Sequence, residues 1–185
     1  IKSPMDLVIG TMRLFNLTVP NNTTQLPAHY EMYSQLIEQL DLQGLQFFEP
    51  YDVAGYEPYY QFPGYHRFWI SSNYLANRYK FSELLITGFT GMGGNLLKLD
   101  VVEFVETNCS NPGDASILVQ ELVEWLFPIT IDTTRFNYFR DTVLLDQLPA
   151  TNWTAEWNNY VNTSSDVNVR LQLESLFMAM MQTPE

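Results

Sequence analysis

Three carboxylates and a set of tyrosines lie close together in one segment of the sequence. Glu49, Asp52 and Glu57 fall within nine positions. Carboxylates accept hydrogen bonds from sugar hydroxyls, and a pair can act as general acid and base where burial separates their pKa values. Aromatic side chains, whose faces stack on sugar rings, surround them at Tyr51, Tyr56, Tyr59, Tyr60, Phe62 and Tyr65. The segment from 47 to 69 therefore has the residue types of a glycan-binding surface or of a hydrolase site.

The same segment also fits a structural role, which is the interpretation that we favour. Pro50, Gly55 and Pro63 restrict the path of the chain, and neither a helical nor a strand period runs through it. In this interpretation the segment is one long ordered loop, and its aromatic side chains cap one end of a helical bundle.

A histidine and an arginine extend the set of candidates. His66 has the residue type of a general base near neutral pH, although a histidine beside aromatic residues more often packs through a hydrogen bond. Arg78 could hold a carboxylate or phosphate through two parallel hydrogen bonds. We favour instead a buried structural pair of Arg78 with Asp52 or Glu49. The candidate binding residues are Glu49, Asp52, Tyr56, Tyr59, Tyr60, Tyr65, His66, Trp69 and Arg78.

Length, composition and charge exclude several classes of protein. The chain has 185 residues, of which 46% are hydrophobic and 16% charged, so a disordered chain is excluded. The net charge of −12 disfavours nucleic-acid binding, because a phosphate backbone would be repelled. No run of about 18 apolar residues is present, which excludes a transmembrane helix. We predict a single helical domain over 1–185, and we interpret the start at Ile1 as the C-terminal part of a longer protein.

Metal and thiol chemistry have little support in the sequence. Cys109 is the one cysteine, so neither an internal disulfide nor a cysteine-based zinc site is predicted, and a passive thiol is favoured over a nucleophile. The pairs Glu103/Glu106 and Glu121/Glu124 each share a helix face, but no calcium-loop pattern accompanies them, and solvated helix faces are favoured. We predict no metal and no cofactor.

Hydrophobic periodicity and capping residues predict an all-α fold, an orthogonal bundle of about eight helices with one long aromatic-rich loop. Helix starts are predicted from Ser3, Asp100, Asp114 and Asp132 as N-caps, and from Ser164 or Ser165 for the last helix. The glycines between Gly88 and Gly94 predict a flexible connection. The helices are predicted over about 4–17, 28–42, 68–77, 81–86, 99–107, 115–127, 133–148, 153–160 and 166–181. Gly44 is predicted to end the second helix. The predicted buried face of that helix comprises Met32, Tyr33, Leu36, Ile37 and Leu40, and that of the last helix comprises Val169, Leu173, Leu176, Phe177 and Met180.

Several stretches resemble a large bacterial family catalogued as domain of unknown function 1800. The strongest match runs from Gly44 to Tyr56, which is similar to the family's glycine-glutamine, phenylalanine, proline-proline, valine, glycine-tryptophan signature. Weaker matches are Lys2–Pro4 with Val8–Arg13, then Trp69, Ile70, Ser71 and Arg78, and finally Leu176–Glu185. Leu45 is inserted in the signature, while Tyr51 and Tyr56 replace a proline and the tryptophan, which indicates a divergent subgroup. The resemblance implies a helical protein exported from bacteria, and it carries over no catalytic residue.

Two functions from different classes remain open. The first, which we favour, is a non-catalytic helical module of an exported protein that binds a partner protein or a glycan through the Phe47–Trp69 loop. The alternative is part of an extracellular hydrolase that acts on a polymer, with Glu49, Asp52 and His66 at its site.

Overall fold

The structure is a computed structural model that describes residues 1–46, 48, 49, 53, 55 and 68–183, with Asn95 described by its backbone alone. Its elements, in chain order, are α1 (Pro4–Leu14), α2 (Leu26–Leu42), α3 (Ser72–Thr87), β1 (Phe89–Gly91), β2 (Gly94–Leu97), α4 (Val101–Asn108), α5 (Ala115–Leu126), α6 (Thr133–Asn137), a π-helical segment (Tyr138–Leu144), α7 (Ala150–Thr163) and α8 (Val167–Met181). The predicted all-α class is confirmed.

The described elements group into two compact units, Ile1–Leu99 and Asp100–Glu185. The first contains α1, α2, α3 and the two strands, and the second contains the remaining helices. Compactness alone does not show that a unit folds by itself, so the single domain remains a prediction.

Helix α1 begins as its sequence predicts. The Ser3 side chain accepts a hydrogen bond from the Asp6 N–H, and its hydroxyl donates to the Asp6 carboxylate over 2.7 Å. Pro4 occupies the first turn, where a missing N–H costs nothing. Val8, Met12 and Phe15 are buried, as the spacing predicts, but the helix ends at Leu14 rather than at Leu17.

Helix α2 ends in a Schellman motif at Gly44. The Gly44 N–H donates to the Asp41 carbonyl, and the Leu45 N–H donates to the Leu40 carbonyl. Gly44 has φ +93°, a backbone region that side chains rarely adopt, and a Cβ there would lie 2.7 Å from the Tyr74 ring of α3. The predicted helix stop is therefore confirmed, and it is also the place where α2 meets α3.

The region from 68 to 97 differs from its prediction in two ways. A single helix, α3, replaces the two predicted over 68–77 and 81–86, because residues 78–80 contain no helix breaker; Ser71 caps it. The predicted flexible connection at the glycines is wrong, since β1 and β2 pair antiparallel across the two residues Met92 and Gly93. Strands of three and four residues are too short for a period-2 pattern to stand out.

In the second unit the predicted aspartate caps are confirmed. Asp100 accepts from the Val102 and Glu103 N–H groups, and Asp114 accepts from those of Ser116 and Ile117. Asp132 caps α6 in the same way. The buried residues of α8 match the prediction and are Val169, Leu173, Leu176, Phe177 and Met180.

The predicted N-cap of α8 is wrong. Asp166 holds that position, while Ser164 ends α7 with φ +58°. Helix α7 spans Ala150–Thr163 and is longer than the predicted 153–160, and its buried residues are Trp153 and Trp157.

Candidate functional site

Most of the predicted loop site lies outside the described residues. These members are Asp52, Tyr56, Tyr59, Tyr60, Tyr65 and His66. The predicted pair of Arg78 with Asp52, and the hydrolase set of Glu49, Asp52 and His66, therefore stay predictions. The described members of the candidate site are Glu49, Trp69 and Arg78.

Glu49 lies at the surface near the beginning of the loop. Its backbone N–H donates to the Gln46 carbonyl over 3.2 Å, which forms a turn, and its side chain is exposed. Two neighbours in the loop are apolar and exposed as well, because Phe48 retains 76% of its accessible surface and Val53 is fully accessible.

Trp69 lies in the interior, with only 1% of its surface exposed. Its ring packs edge to face against Phe68, with the ring centroids 4.7 Å apart. Sugar stacking needs an accessible aromatic face, so in this conformation Trp69 supports the fold rather than a ligand.

Arg78 is a buried charged residue of α3, with 6% of its surface exposed. Its Nη2 donates a hydrogen bond of 2.8 Å to the Lys2 carbonyl, and burial lowers the pKa of its guanidinium. Within the described part of the chain it forms no ion pair with Glu49. The contact with Lys2 favours a structural role, since it ties the beginning of α1 to α3.

Gln43 was missed by sequence reasoning. Its side chain is fully buried, and among the described residues neither its amide nitrogen nor its amide oxygen has a hydrogen-bond partner. Asn77 donates to the Leu42 carbonyl over 2.5 Å, so Gln43 lies where the end of α2 meets α3. A glutamine just before a helix-ending glycine is normally exposed, and the sequence carries no signal of this burial.

Helix α2 has two apolar faces. The inner face, with Met32, Leu36 and Leu40, is buried. An outer row follows helical spacing and is exposed; we call it the α2 stripe, and it comprises Leu26 (46% exposed), Tyr30 (66%), Tyr33 (45%) and Ile37 (42%). The prediction that Tyr33 and Ile37 belong to the buried face is wrong, because a second apolar row lies one residue away from the first.

His29 fixes the beginning of the α2 stripe. Its Nδ1–H donates to the Pro20 carbonyl over 2.7 Å, and its ring lies edge to face with Tyr33 at 4.7 Å between centroids. The Tyr30 ring also lies edge to face with the His29 ring, at 5.9 Å between centroids. These contacts pre-order two tyrosines of the stripe, which reduces the entropy that a partner must offset on binding.

The charges of α2 are all of one sign. Glu31, Glu38 and Asp41 are its ionised residues, and the helix contains neither lysine nor arginine. Glu38 and Asp41 are exposed beside the α2 stripe. The rim of the stripe is therefore acidic.

An open groove of about 930 Å³ lies beside the first half of α2. The loop before α2, the helix itself and the tip of the hairpin form its walls. Its described lining residues are Thr18, Val19, Pro20, Asn21, Gln25, Pro27, Ala28, Glu31, Ser34, Met92, Gly93 and Leu96.

The Glu31 carboxylate holds the hairpin against α2. Its Oε2 accepts a hydrogen bond of 3.3 Å from the Met92 N–H, and Gln35 donates to the Thr90 carbonyl over 3.0 Å. A Cβ on Gly91 would lie 2.6 Å from the Glu31 Cδ, so only glycine admits the carboxylate at this distance. Glu31 and Met92 are 61 residues apart in sequence, which is why no motif signals their meeting.

Comparison with known proteins identifies the family of this chain. A family model described as "Protein of unknown function (DUF1800)" matches residues 1–185. The chain belongs to this family. No curated protein and no solved structure matches the chain. The DUF1800 match covers the signature from Gly44 to Tyr56 together with the weaker stretches, so the resemblance drawn from the sequence is confirmed.

The second unit of this DUF1800 chain uses its ionisable groups in structural contacts. Arg170 pairs with Asp100 at 3.1 Å and with Asp166 at 2.5 Å. Burial raises the pKa of Asp100, but hydrogen bonds from Arg170 and from backbone N–H groups outweigh burial and lower it overall. Arg140 pairs with its neighbour Asp141 at 2.7 Å.

Cys109 is a buried free thiol in the same unit. Burial, together with the nearby Glu121 carboxylate, raises its pKa to about 12. A thiol is a nucleophile only as the thiolate, so these surroundings disfavour cysteine chemistry at neutral pH.

Two kinds of feature are absent from the described residues of this DUF1800 chain. No group of three or more histidine, cysteine or acidic side chains stands where it could hold a metal ion. None of the helices in this part of the chain is long and apolar enough to cross a membrane.

Proposed function

We propose that this chain is a non-catalytic helical module that binds a partner protein through the α2 stripe. The observation that carries the proposal is the exposure of four large apolar side chains in one row, Leu26, Tyr30, Tyr33 and Ile37, on a helix whose adjacent face is already buried. Soluble proteins rarely leave a continuous apolar row open to water, and such rows mark surfaces that another molecule covers.

The residue types in the α2 stripe suit a protein partner. Tyrosine combines a large apolar area with a hydroxyl that can remain hydrated at the rim, and it is enriched where interfaces gain most of their affinity. His29 already orders Tyr30 and Tyr33, so association immobilises fewer free side chains.

The charges define the partner further. The stripe is flanked by Glu38 and Asp41, α2 has no lysine or arginine, and the whole chain carries −12. The surface that fits is therefore an apolar patch or helix face with lysine or arginine at its edge. Opposite charges across the rim speed association and discriminate against acidic competitors.

A protein partner has more support than a glycan or a polymer substrate. Trp69 is buried, and in the loop the described side chains of Phe48 and Val53 are exposed and apolar, which suits a protein surface more than a hydroxylated one. The loop is a second contact region in this proposal. Of the hydrolase alternative only Glu49 lies among the described residues, and within that part of the chain no second acidic side chain or histidine is seen to act with it.

Site-specific photocrosslinking tests the proposal. Benzoylphenylalanine in place of Tyr33, in cells that naturally produce the protein, should give one reproducible adduct with a second protein. The adduct should disappear when Tyr30 and Ile37 are both changed to serine, which leaves the buried face of α2 intact. The matched control is benzoylphenylalanine at Leu171, an apolar residue of α8 that is 66% exposed.

Three results would contradict the proposal. The first is that the crosslinker gives the same adducts at positions 33 and 171. The second is that the adduct from position 33 persists when Tyr30 and Ile37 are both serine. The third is that the only adduct is with a second copy of the chain. Circular dichroism of the double variant should match the wild type, since both side chains are exposed.

The family resemblance also leads us to propose that the protein is exported. Fractionation of the producing bacterium tests this directly. Recovery of the protein with the periplasmic, surface or extracellular fraction is expected, and recovery only with the cytoplasm would contradict it.

A further inference from the structure

We propose that the groove beside α2 accepts an extended segment of the partner that carries a lysine or arginine side chain. This inference rests on the proposed function and deepens it, since the groove adjoins the α2 stripe. The groove would provide a second contact that selects for charge, in addition to the apolar contact of the α2 stripe.

The size of the groove suits a short peptide segment. Its volume of about 930 Å³ lies in the upper part of the range that protein pockets use for small ligands, and it is open on one side. All of its described walls belong to the first unit.

The charge of the groove selects the occupant. Glu31 is the single acidic residue in the described lining, and lysine, arginine and histidine are absent from that lining. Its carboxylate accepts one hydrogen bond, from Met92, and a carboxylate has room for about three more. An ammonium or guanidinium group would supply donors and the opposite charge, whereas an acidic segment would meet repulsion.

The remaining walls suit the carbon stem and backbone of such a segment. Val19, Pro20, Pro27 and Leu96 offer apolar surface along which the methylene groups of a lysine or arginine can lie. The Asn21 side-chain oxygen already accepts from the Thr23 and Thr24 N–H groups, so Asn21 offers its amide nitrogen, and Ser34 its hydroxyl, to a peptide backbone. The combination of one carboxylate, apolar flanks and neutral polar groups fits a basic peptide better than a sugar.

The Glu31→Gln variant tests the contribution of the negative charge of Glu31 to binding. Glutamine keeps an oxygen that can accept the Met92 N–H, so the hairpin retains its contact with α2, but the negative charge is lost. Glu83→Gln removes the same charge from an exposed position of α3, outside both the described lining and the α2 stripe, and it is the matched control.

The experiment uses a phage-displayed library of random dodecapeptides, selected on the wild-type chain with an excess of soluble Glu31→Gln variant as competitor. The peptides recovered should share a lysine or arginine. A synthetic copy of the most enriched peptide should bind Glu31→Gln at least fivefold more weakly than wild type. It should bind Glu83→Gln within twofold of wild type, and replacement of its arginine by citrulline, or of its lysine by acetyl-lysine, should weaken it as Glu31→Gln does.

The inference is overturned if no peptide depends on Glu31, if the recovered peptides lack basic residues, or if sedimentation shows that a second copy of the chain occupies the groove. These outcomes are separable from failure of the proposed function. If the groove proposal alone is wrong, peptide binding does not depend on Glu31 but the crosslink from position 33 remains. If the α2 stripe proposal alone is wrong, the crosslink from position 33 is lost but peptide binding in the groove remains.

Discussion

The guanidinium of Arg78 donates a hydrogen bond of 2.8 Å to the carbonyl of Lys2, a residue 76 positions earlier in the chain. Lys2 immediately precedes the Ser3 cap of α1, and Arg78 lies in the first half of α3. One buried side chain thus fixes the beginning of the first helix against the third. The contact explains a buried arginine without assigning it to a ligand.

Arg78→Ala should lower the free energy of unfolding by about 2–3 kcal/mol, because it removes a large buried side chain and leaves a carbonyl without its donor. Urea denaturation measures the change. Lys80→Ala, at an exposed position of the same helix, should alter stability by no more than about 0.5 kcal/mol. Equal effects of the two substitutions would show that the contact with Lys2 does not stabilise the fold.

Alanine in place of two glycines should change stability in opposite directions. Gly44→Ala combines a positive φ with a Cβ 2.7 Å from the Tyr74 ring, and we expect a loss of about 1–3 kcal/mol. Gly10→Ala lies inside α1 with nothing within 4 Å of the new Cβ, and should gain about 0.5–1 kcal/mol from helix propensity. Thermal unfolding of both variants checks the signs. A stable Gly44→Ala variant would mean that the end of α2 is not fixed against α3.

Local rules predicted the parts of the fold that depend on neighbouring residues. The Ser3 cap with its proline and aspartate, and the caps at Asp114 and Asp132, act within one helical turn and follow from the sequence. The outward position of Tyr33 does not follow from the sequence, since a helical period cannot tell which of two adjacent apolar rows faces the core.

The candidate site was less accessible to sequence reasoning. The sequence drew attention to the segment from 47 to 69, where residue types were suggestive. The groove instead depends on Glu31 and Met92, which only the fold brings together. Gln43 is buried where two helices meet, and no short sequence pattern encodes that contact. Sequence reasoning did identify Arg78 as buried, because charged residues are few and a structural pair was the favoured interpretation.

The stabilising effect of Asp100 should depend on pH. Its pKa is lowered in the folded chain, so its contribution is present above the pKa of an unfolded aspartate, about 4, and is lost as the pH falls toward the folded value. Asp100→Asn keeps a good N-cap and removes the charge that pairs with Arg170. The variant should be less stable than wild type at pH 7, and the difference should shrink below pH 4.

Urea midpoints measured from pH 2 to pH 8 give that difference. The same comparison in an Arg170→Gln background is the control, because the partner charge is then absent and most of the pH dependence attributed to the pair should disappear. A difference that is constant across the range would contradict the assignment.

Cys109 should react slowly with thiol reagents in the native protein. With a pKa of about 12, only ~10⁻⁴ of the thiol is ionised at pH 8, and burial restricts access further. Ellman's reagent at pH 8 should modify the urea-unfolded chain within minutes and the native chain at least a hundredfold more slowly. Rapid modification of native protein would instead indicate an activated cysteine, and it would reopen nucleophilic chemistry.

The central claim is that the α2 stripe binds a partner, and its most direct measurement is an affinity. Once crosslinking from position 33 has identified the partner, calorimetric titration of the purified pair compares wild type with Tyr33→Ser and with the control Leu171→Ser. We predict that Tyr33→Ser weakens binding by at least tenfold, that Leu171→Ser leaves it unchanged, and that added salt weakens the wild-type complex through its acidic rim. Equal affinities for all three proteins would contradict the account.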